Sequence, residues 1–497
     1  MNRIPVTLTC CFLSSLLSVA ATESTIKVYE TNRAGTSFAE VQLDNHAFSN
    51  PIRLQIDPSQ LKQEVVGFGG SFTESAAYVL GQLSEDKRAE VIAAYFSESG
   101  AHYSLTRTHI ASCDFALSNY SYTPDPDPTL ANFSIAEDEP DLIPLIKDAM
   151  AQPGADFKIV ASPWTSPSWM KDNNDWNAGS LLPEHYSTFA RYTLKYLQAY
   201  QAVGIDIWGI TPENEPLGNG GQWESLHFTG EQMADYVGNH LGPVLEQAGM
   251  DTKIFIYDQN RDEVLHYVKP ILGSPAAEYV DGVALHWYSH TKDYCPKILD
   301  TLTSLYPETP FFHSEGCIDV MGDDEPAGAW LENDWYWNED ATDWGYYWAV
   351  DDAKADHPKY RPFYRYARDI IGGLNHGFFG WVDWNLALDF KGGPNHANNF
   401  ACAPVLVDTK NNEIYYTPIY YCMMHFSKYI RPGARIVEVD NVAEPLMVTA
   451  AKNPDGSLVV VAFNMGESAQ PVEIKLGSST ICDTLRAQSL KTYVVEQ

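Results

Sequence analysis

Short runs of β-branched and aromatic residues recur along the chain, each ending in polar residues or glycine and each followed by a stretch with helical spacing. The runs cover residues 65–73, 103–110, 158–165, 205–215, 252–260, 281–288, 309–316 and 377–385. Apolar runs of this length, bounded by turn-forming residues, predict buried strands. Between them, Phe189, Tyr192, Tyr196, Leu197 and Tyr200 recur at helical spacing and predict a helix over 187–200. Thr229 followed by Gln232 has the pattern of a capping box, in which a hydroxyl and an amide each satisfy an N–H left unpaired at a helix start. Eight strand-then-helix units predict an α/β fold, a (β/α)8 barrel over 63–431. In such barrels the strand C-termini form the face that carries chemistry. An open doubly wound sheet is the rival, because Gly67-Phe-Gly69-Gly-Ser-Phe72 has the look of a dinucleotide loop. Phe72 stands where that loop needs its third glycine, which argues against it.

After about residue 432 the texture changes to alternating runs at 434–440, 446–452, 457–464, 470–476 and 490–495, separated by turns such as Asn453-Pro-Asp-Gly456. Period-two alternation with turn signals predicts an antiparallel sheet over 432–497. Residues 25–57 are also strand-like, so a side β-sandwich is expected to take strands from both ends of the chain, with 22–62 as its N-terminal part.

Composition adds limits. The chain has 497 residues, 45 % hydrophobic and 20 % charged, enough for a large core. Aromatic residues reach 13 %, with 13 Trp and 29 Tyr, a supply of rings suited either to a large core or to stacking on sugars. The formal net charge of −33 repels phosphate backbones and anionic lipid surfaces, so nucleic acid is not an expected partner. Arg3, an apolar run over 6–19 and small residues at Ser18-Val19-Ala20-Ala21 read as a signal peptide over 1–21, predicting a secreted or periplasmic protein. No stretch is long and apolar enough to predict a transmembrane anchor. Six cysteines follow the leader, at 113, 295, 317, 402, 422 and 482, with no CxxC pair; their spacing leaves disulfide pairing and oligomeric state open.

Two carboxylates fall where barrel chemistry is expected. Glu215, in Thr211-Pro-Glu-Asn-Glu-Pro216, ends the fourth run, and Glu315, in His313-Ser-Glu-Gly316, ends the seventh. Strands four and seven sit across the mouth of a barrel, so these groups can flank one glycosidic bond. A retaining glycosidase uses one carboxylate as nucleophile and the other as acid, then base, about 5–5.5 Å apart. The acid has to be kept protonated by burial and by its charged neighbour. No HExxH, phosphate loop or nucleophile elbow appears, so no metal and no cofactor is expected.

A series of motifs runs the length of the chain: Gly67-Phe-Gly-Gly70, Ala111-Ser-Cys-Asp-Phe115, Ala161-Ser-Pro-Trp-Thr-Ser-Pro167, Glu213-Asn-Glu-Pro216, His286-Trp-Tyr288, Ser314-Glu-Gly-Cys317, Asp383-Trp-Asn-Leu-Ala-Leu388, Gly392-Gly-Pro-Asn395 and His425-Phe-Ser-Lys428. In this order they resemble glycoside hydrolase family 30, and within it the glucosylceramidases. The resemblance implies a (β/α)8 barrel with a side β-sandwich, Glu215 as acid/base and Glu315 as nucleophile. It also implies that Asp114, Trp164, Asn214, Trp384 and Asn399 line the sugar pocket. Asp114 would accept from sugar hydroxyls, Asn214 would donate to the 2-hydroxyl, and the two tryptophans would pack on the sugar ring. Tyr288 is expected to hydrogen-bond the nucleophile. Arg107 is expected either to hold a carboxylate in place and contact substrate or to form a structural ion pair. His286 is expected to be structural, and His313 has no assigned role.

Three departures from the resemblance stand out. Gly316 follows Glu315 where the glucosylceramidases have alanine, a small change beside an intact Glu. His396 replaces a tryptophan in the loop after the eighth strand, which bears on contacts to the aglycone. The segment 318–360 is expanded, acidic and rich in tryptophan (Trp330, Trp335, Trp337, Trp344, Trp348), and is expected to add sugar subsites or a lid, or else to pack on its own aromatics. A β-glucoside is the expected substrate, a glycolipid first and a β-glucan cut by endo-β-1,6-glucanase action second. A non-catalytic carbohydrate-binding protein is the reading from another class, disfavoured because both glutamates are present.

Overall fold

A computed structural model of the chain describes residues 25–319, 329–339, 359–477 and 479–496. The leader expected over 1–21, together with Trp344 and Trp348, lies outside the described residues. Eight parallel strands close a barrel: β1 (Gly67–Phe72), β2 (Leu105–Ile110), β3 (Lys158–Pro163), β4 (Gly209–Ile210), β5 (Lys253–Asn260), β6 (Gly282–His286), β7 (Phe311–Glu315) and β8 (Phe378–Asp383). Closure is made by β8 against β1, with Trp381 opposite Phe68 and Asp383 opposite Gly70. Each strand lies inside one of the eight apolar runs. They read as runs rather than alternations because both faces of a parallel barrel strand are covered. Leu105, Val160, Phe255, Ala284, Phe312 and Phe379 pack together, one from each of six strands. The glycines of β1 serve this packing. A Cβ at Gly69 would lie 1.9 Å from the Leu105 carbonyl oxygen, so only glycine lets β1 and β2 approach.

The fourth run is the least regular. Only Gly209–Ile210 is strand, and the chain then leaves the ladder, with Glu215 in the left-handed region at φ 51°. The helix expected over 187–200 spans Tyr186–Ala202, and the capping box at Thr229 and Gln232 has both of its hydrogen bonds.

The side domain is a nine-stranded sheet that takes strands from both ends of the chain. Thr25–Asn32 pairs antiparallel with Ser489–Glu496, and Ile52–Glu64 lies between Arg435–Asp440 and Gln470–Leu476. Val28, Leu54, Val460, Ile474 and Tyr493 form its core. The strand Ser479–Leu485 was not signalled, because its inward face of Ile481, Asp483 and Leu485 has an acidic residue at its centre, which breaks the apolar alternation. Nor was the small sheet of Ala387–Asp389, Val405–Asp408 and Glu413–Tyr416 after β8, whose strands are too short to show a period. His425 fastens barrel to sheet. Its ring nitrogens bond Thr492 Oγ1 at 2.8 Å and Thr31 Oγ1 at 2.9 Å.

The aromatic segment after β7 does not present its described tryptophans to sugar. Trp330, Trp335 and Trp337 are all buried, and Trp337 stacks on Phe363 at 4.0 Å. Asp334 bonds Arg33 Nε at 2.6 Å, tying this segment to the end of the first sheet strand. The described part is therefore packed into the core of the barrel, and the subsite role expected for these three rings is corrected. Among the described residues no helix is long and apolar enough to cross a membrane, and all six cysteines are free thiols.

Candidate active site

The C-terminal ends of the strands deliver acidic and basic groups to one point. One oxygen of Glu215, one of Glu315 and a ring nitrogen of His286 lie within 4.8 Å of one another. Glu215 follows β4, His286 ends β6 and Glu315 ends β7. The Glu315 side chain is 8 % exposed and that of Glu215 17 %, so one is nearly enclosed and the other faces the opening. Tyr288 donates its hydroxyl to Glu315 Oε1 at 3.0 Å.

Beneath them lies a buried charge network. Arg107, on β2, donates Nη1 to Glu315 Oε2 and Nη2 to Asp258 Oδ2 at 2.6 Å and Asn214 Oδ1 at 2.7 Å. Its Nε–H points at Ser162 Oγ at 3.3 Å. Arg107 is 0 % exposed with four of its five N–H groups on protein acceptors, an arrangement that fits the ion-pair alternative, in which it acts on the carboxylates from behind. Asn214, with its oxygen on Arg107, keeps its NH2 to donate.

Asp258, at the end of β5, accepts from Arg107, Ser162, Thr211, Ser314 and His286. Burial pushes its carboxyl up, but Arg107 and His286 outweigh burial and hold it well below the usual range. His286 is bonded at Nε2 to Asp258 at 3.0 Å and at Nδ1 to Glu215 at 3.3 Å. Burial opposes its charge, yet Glu315, Asp258 and Glu215 together raise it to about 9. The ring is lodged among the carboxyl groups of Asp258, Glu215 and Glu315. Burial raises the Glu315 carboxyl, while His286 and Arg107 pull it back toward the ionised form. The trio of Glu215, His286 and Glu315 has the donor types of a cation site, but His286 must shed a proton that both its carboxylate partners hold in place before it can be a ligand.

Asp114, on the loop after β2, is buried, and its Oδ2 accepts from Asn399 Nδ2 at 2.9 Å. Its Oδ1 has no hydrogen-bond partner among the described residues, leaving an acceptor for a sugar hydroxyl. Burial first, then the Glu315 charge, push this carboxyl well above the usual range. Trp164 and Trp384 stack on each other at 5.1 Å and are each 2 % exposed, with the Arg107 guanidinium 4.8 Å from the Trp164 ring. They form one wall of the site rather than two open platforms.

The glycine after Glu315 is not a small change. A Cβ at Gly316 would lie 2.6 Å from His313 Nε2 and 2.7 Å from Trp287 Cε2. His313 fills the space an alanine methyl would need. It stacks on Trp381 at 4.3 Å and meets Arg261 Nη2 at 3.2 Å, while Arg261 grips Asp369 with two bonds of 2.8 Å.

The sequence pointed to Glu215, Glu315, Tyr288, Asn214, Asp114, Asn399 and the two tryptophans, and these converge. It gave no sign of Asp258, although an aspartate at the end of the fifth apolar run was a signal available to be read. His286, assigned to structure alone, sits between the two glutamates.

Comparison with known proteins matches this architecture over nearly its whole length. Residues 65–347 and 339–430 match the glycosyl hydrolase family 30 TIM-barrel domain, and residues 433–493 match the glycosyl hydrolase family 30 beta sandwich domain. The lysosomal acid glucosylceramidase of Mus musculus is 32 % identical over 95 % of this chain and 86 % of its own length. An endo-1,6-beta-D-glucanase of Neurospora crassa is 31 % identical over 86 % of this chain and 84 % of its own. Among solved structures, SrfJ from Salmonella typhimurium superposes with a TM-score of 0.83 at 29 % identity, covering 95 % of this chain and 100 % of that one. The endo-beta1,6-glucanase BT3312 does so with a TM-score of 0.80 at 26 % identity, covering 95 % and 99 %. The chain thus belongs to glycosyl hydrolase family 30 and is a glycoside hydrolase.

Proposed function

We propose that the protein is a retaining β-glucosidase of glucosylceramidase type, with Glu315 as nucleophile and Glu215 as acid/base. The observation that carries this reading is that one oxygen of each glutamate, with a His286 nitrogen, lies within 4.8 Å of the others, so that both carboxyl groups can serve one anomeric carbon. Retaining enzymes hold the pair at about 5–5.5 Å, whereas inverting enzymes need about 6.5–9.5 Å to admit a water. Glu315 Oε2 is held by Arg107 and Oε1 by Tyr288, which orient the carboxylate for attack on the anomeric carbon. Glu215, the more open of the two, protonates the leaving oxygen and then takes a proton from the water that releases the sugar. Asn214 donates to the 2-hydroxyl, and Asp114 with Asn399 receives the far hydroxyls.

The mouse relative's name supports a glycolipid aglycone, and the Neurospora and BT3312 names favour a second reading, endo-β-1,6-glucanase. Arg3 and the apolar run over 6–19 support a secreted or periplasmic location. The test is turnover of an aryl β-glucoside, of glucosylceramide in detergent and of a β-1,6-glucan by the wild type and Glu315→Gln, with the first-formed anomer read by NMR. The expected result is β-anomer product from the first two, absent in the variant. An α-anomer product would overturn the retaining mechanism, and activity on the glucan alone would move the function to the second reading.

A further inference from the structure

One ion pair, its carboxylate buried and its imidazole 19 % exposed, joins three loops on the catalytic face. His396, from the loop after β8, donates Nδ1–H to the Ala116 carbonyl at 2.9 Å and Nε2–H to Glu224 Oε2 at 3.1 Å. With both ring nitrogens donating to oxygens, the ring is an imidazolium. Glu224 comes from the loop after β4 and its side chain is 0 % exposed. Its Oε1 accepts from Asn119 Nδ2 at 2.7 Å, and Asn119 belongs to the loop after β2. A buried carboxylate with two donors, one of them charged, is a strong tie.

The place of this tie in the barrel gives it a meaning. In the closed ring of eight strands, β4 and β8 stand opposite each other. The Glu224–His396 pair therefore ties together loops that start on opposite sides of the mouth, and Asn119 and Ala116 hold it over β2. Asp114 is on that same β2 loop, and Asn399, which bonds it, lies three residues beyond His396. Asp114 feels the charge of both Glu224 and His396. The Asp114–Asn399 pair is thus on the bridged side of the mouth, while Glu315 and Tyr288 rise from β7 and β6 on the other.

We propose that the Glu224–His396 bridge is a specificity determinant that closes the pocket beyond the bound sugar. The enzyme then removes single residues from the non-reducing end of a β-glucoside and does not cut inside a β-1,6-glucan. This rests on the two-carboxylate reading above. A glycan threaded through an open cleft has to leave the site on both sides of the broken bond, and the bridge stands in one of those exits. A lipid or aryl aglycone needs only the other.

The experiment uses the full chain, an aryl β-glucoside, a β-1,6-linked glucohexaose labelled at its reducing end, and the same hexamer methylated at O6 of its non-reducing terminal residue. The wild type is expected to yield glucose and labelled pentamer first, and to leave the methylated hexamer uncut. Glu224→Gln/His396→Gln removes both charges together, so that neither stays buried without its partner. In it, labelled dimer to tetramer should appear among the first products and KM for the aryl glucoside should rise about tenfold, the loss expected for a charge-assisted tie. Internal fragments from the wild type, cleavage of the methylated hexamer, or an unchanged pattern in a folded double variant would overturn the proposal and leave the two-carboxylate reading standing. If the double variant does not fold, the methylated hexamer still decides on the wild type alone. Failure of the wild type to hydrolyse the aryl glucoside and the unmethylated hexamer alike, by contrast, removes the two-carboxylate reading, and the role of the bridge falls with it.

Discussion

Gly316→Ala adds a single methyl one residue from the proposed nucleophile, and the structure sets the cost. The new carbon would stand 2.6 Å from His313 Nε2 and 2.7 Å from Trp287 Cε2, about 1 Å inside ordinary contact. Neither ring can step aside. Both are fully buried, His313 is stacked on Trp381, and the Arg365 guanidinium covers Trp287 at 4.1 Å. The backbone at 316 has to move instead, and it carries Glu315 with it. Overpacking of this kind costs about 1–3 kcal/mol of stability. A shift of about 1 Å at a reacting group costs on the order of a hundredfold in rate, or about 2.7 kcal/mol of barrier. Steady-state kinetics on an aryl β-glucoside should show kcat falling about a hundredfold with a smaller change in KM, alongside a lower melting temperature. His313→Ala/Gly316→Ala removes the imidazole that the methyl strikes, and should recover about tenfold of the lost kcat if the contact is the cause. Wild-type kcat in Gly316→Ala, or no recovery in the double variant, would refute the reasoning.

Other perturbations read the buried network. Arg107→Met strips the cation from Glu315 and Asp258, and should lower stability by about 3–5 kcal/mol, seen by denaturant titration, and abolish turnover. Asp114→Asn should lower kcat/KM about tenfold, as the carboxyl group that faces the sugar hydroxyls becomes an amide, with the protein's melting little changed. His286 is raised to about 9, so its contribution is fully present below about 6.5 and is lost as pH rises through about 9. The shift corresponds to about 3 kcal/mol, and His286→Gln should flatten the fall in melting temperature across that window. Asp138 is bonded by the hydroxyls of Tyr120, Tyr122 and Tyr200 and is raised to about 6, chiefly by burial. Its ionisation costs stability as pH climbs through about 6, so Asp138→Asn should remove a decline between about pH 4 and 6 in thermal melts.

The barrel was legible because each of its strands is enclosed on both faces, so eight apolar runs stood out against polar loops. The proposed acid/base and nucleophile were legible because they end two of those runs. The support beneath them was not. Asp258 is one acidic residue among 65 Asp and Glu, and nothing local distinguishes a carboxylate that will receive an arginine from β2 and a histidine from β6. Glu224 and His396 are 172 residues apart, and their pairing exists only once β4 and β8 face each other. Gly316 misled for the same reason: the residue that makes an alanine impossible is three positions upstream, and only the turn of the chain brings its ring back. Trp335 and Trp337 had the composition of a sugar platform and became core, because period alone does not tell a ring that meets solvent from one that meets Phe363.

The pairing of Thr25–Asn32 with Ser489–Glu496 has a consequence for how the molecule is made. A strand that emerges among the first has no partner on one edge until the last has been synthesised, and the whole barrel is translated in between. At about 5–20 residues per second that wait is on the order of half a minute or more. The sheet thus closes only after the barrel has been made, and removal of Ser489–Glu496 would leave the edge of the first strand open to a neighbouring chain.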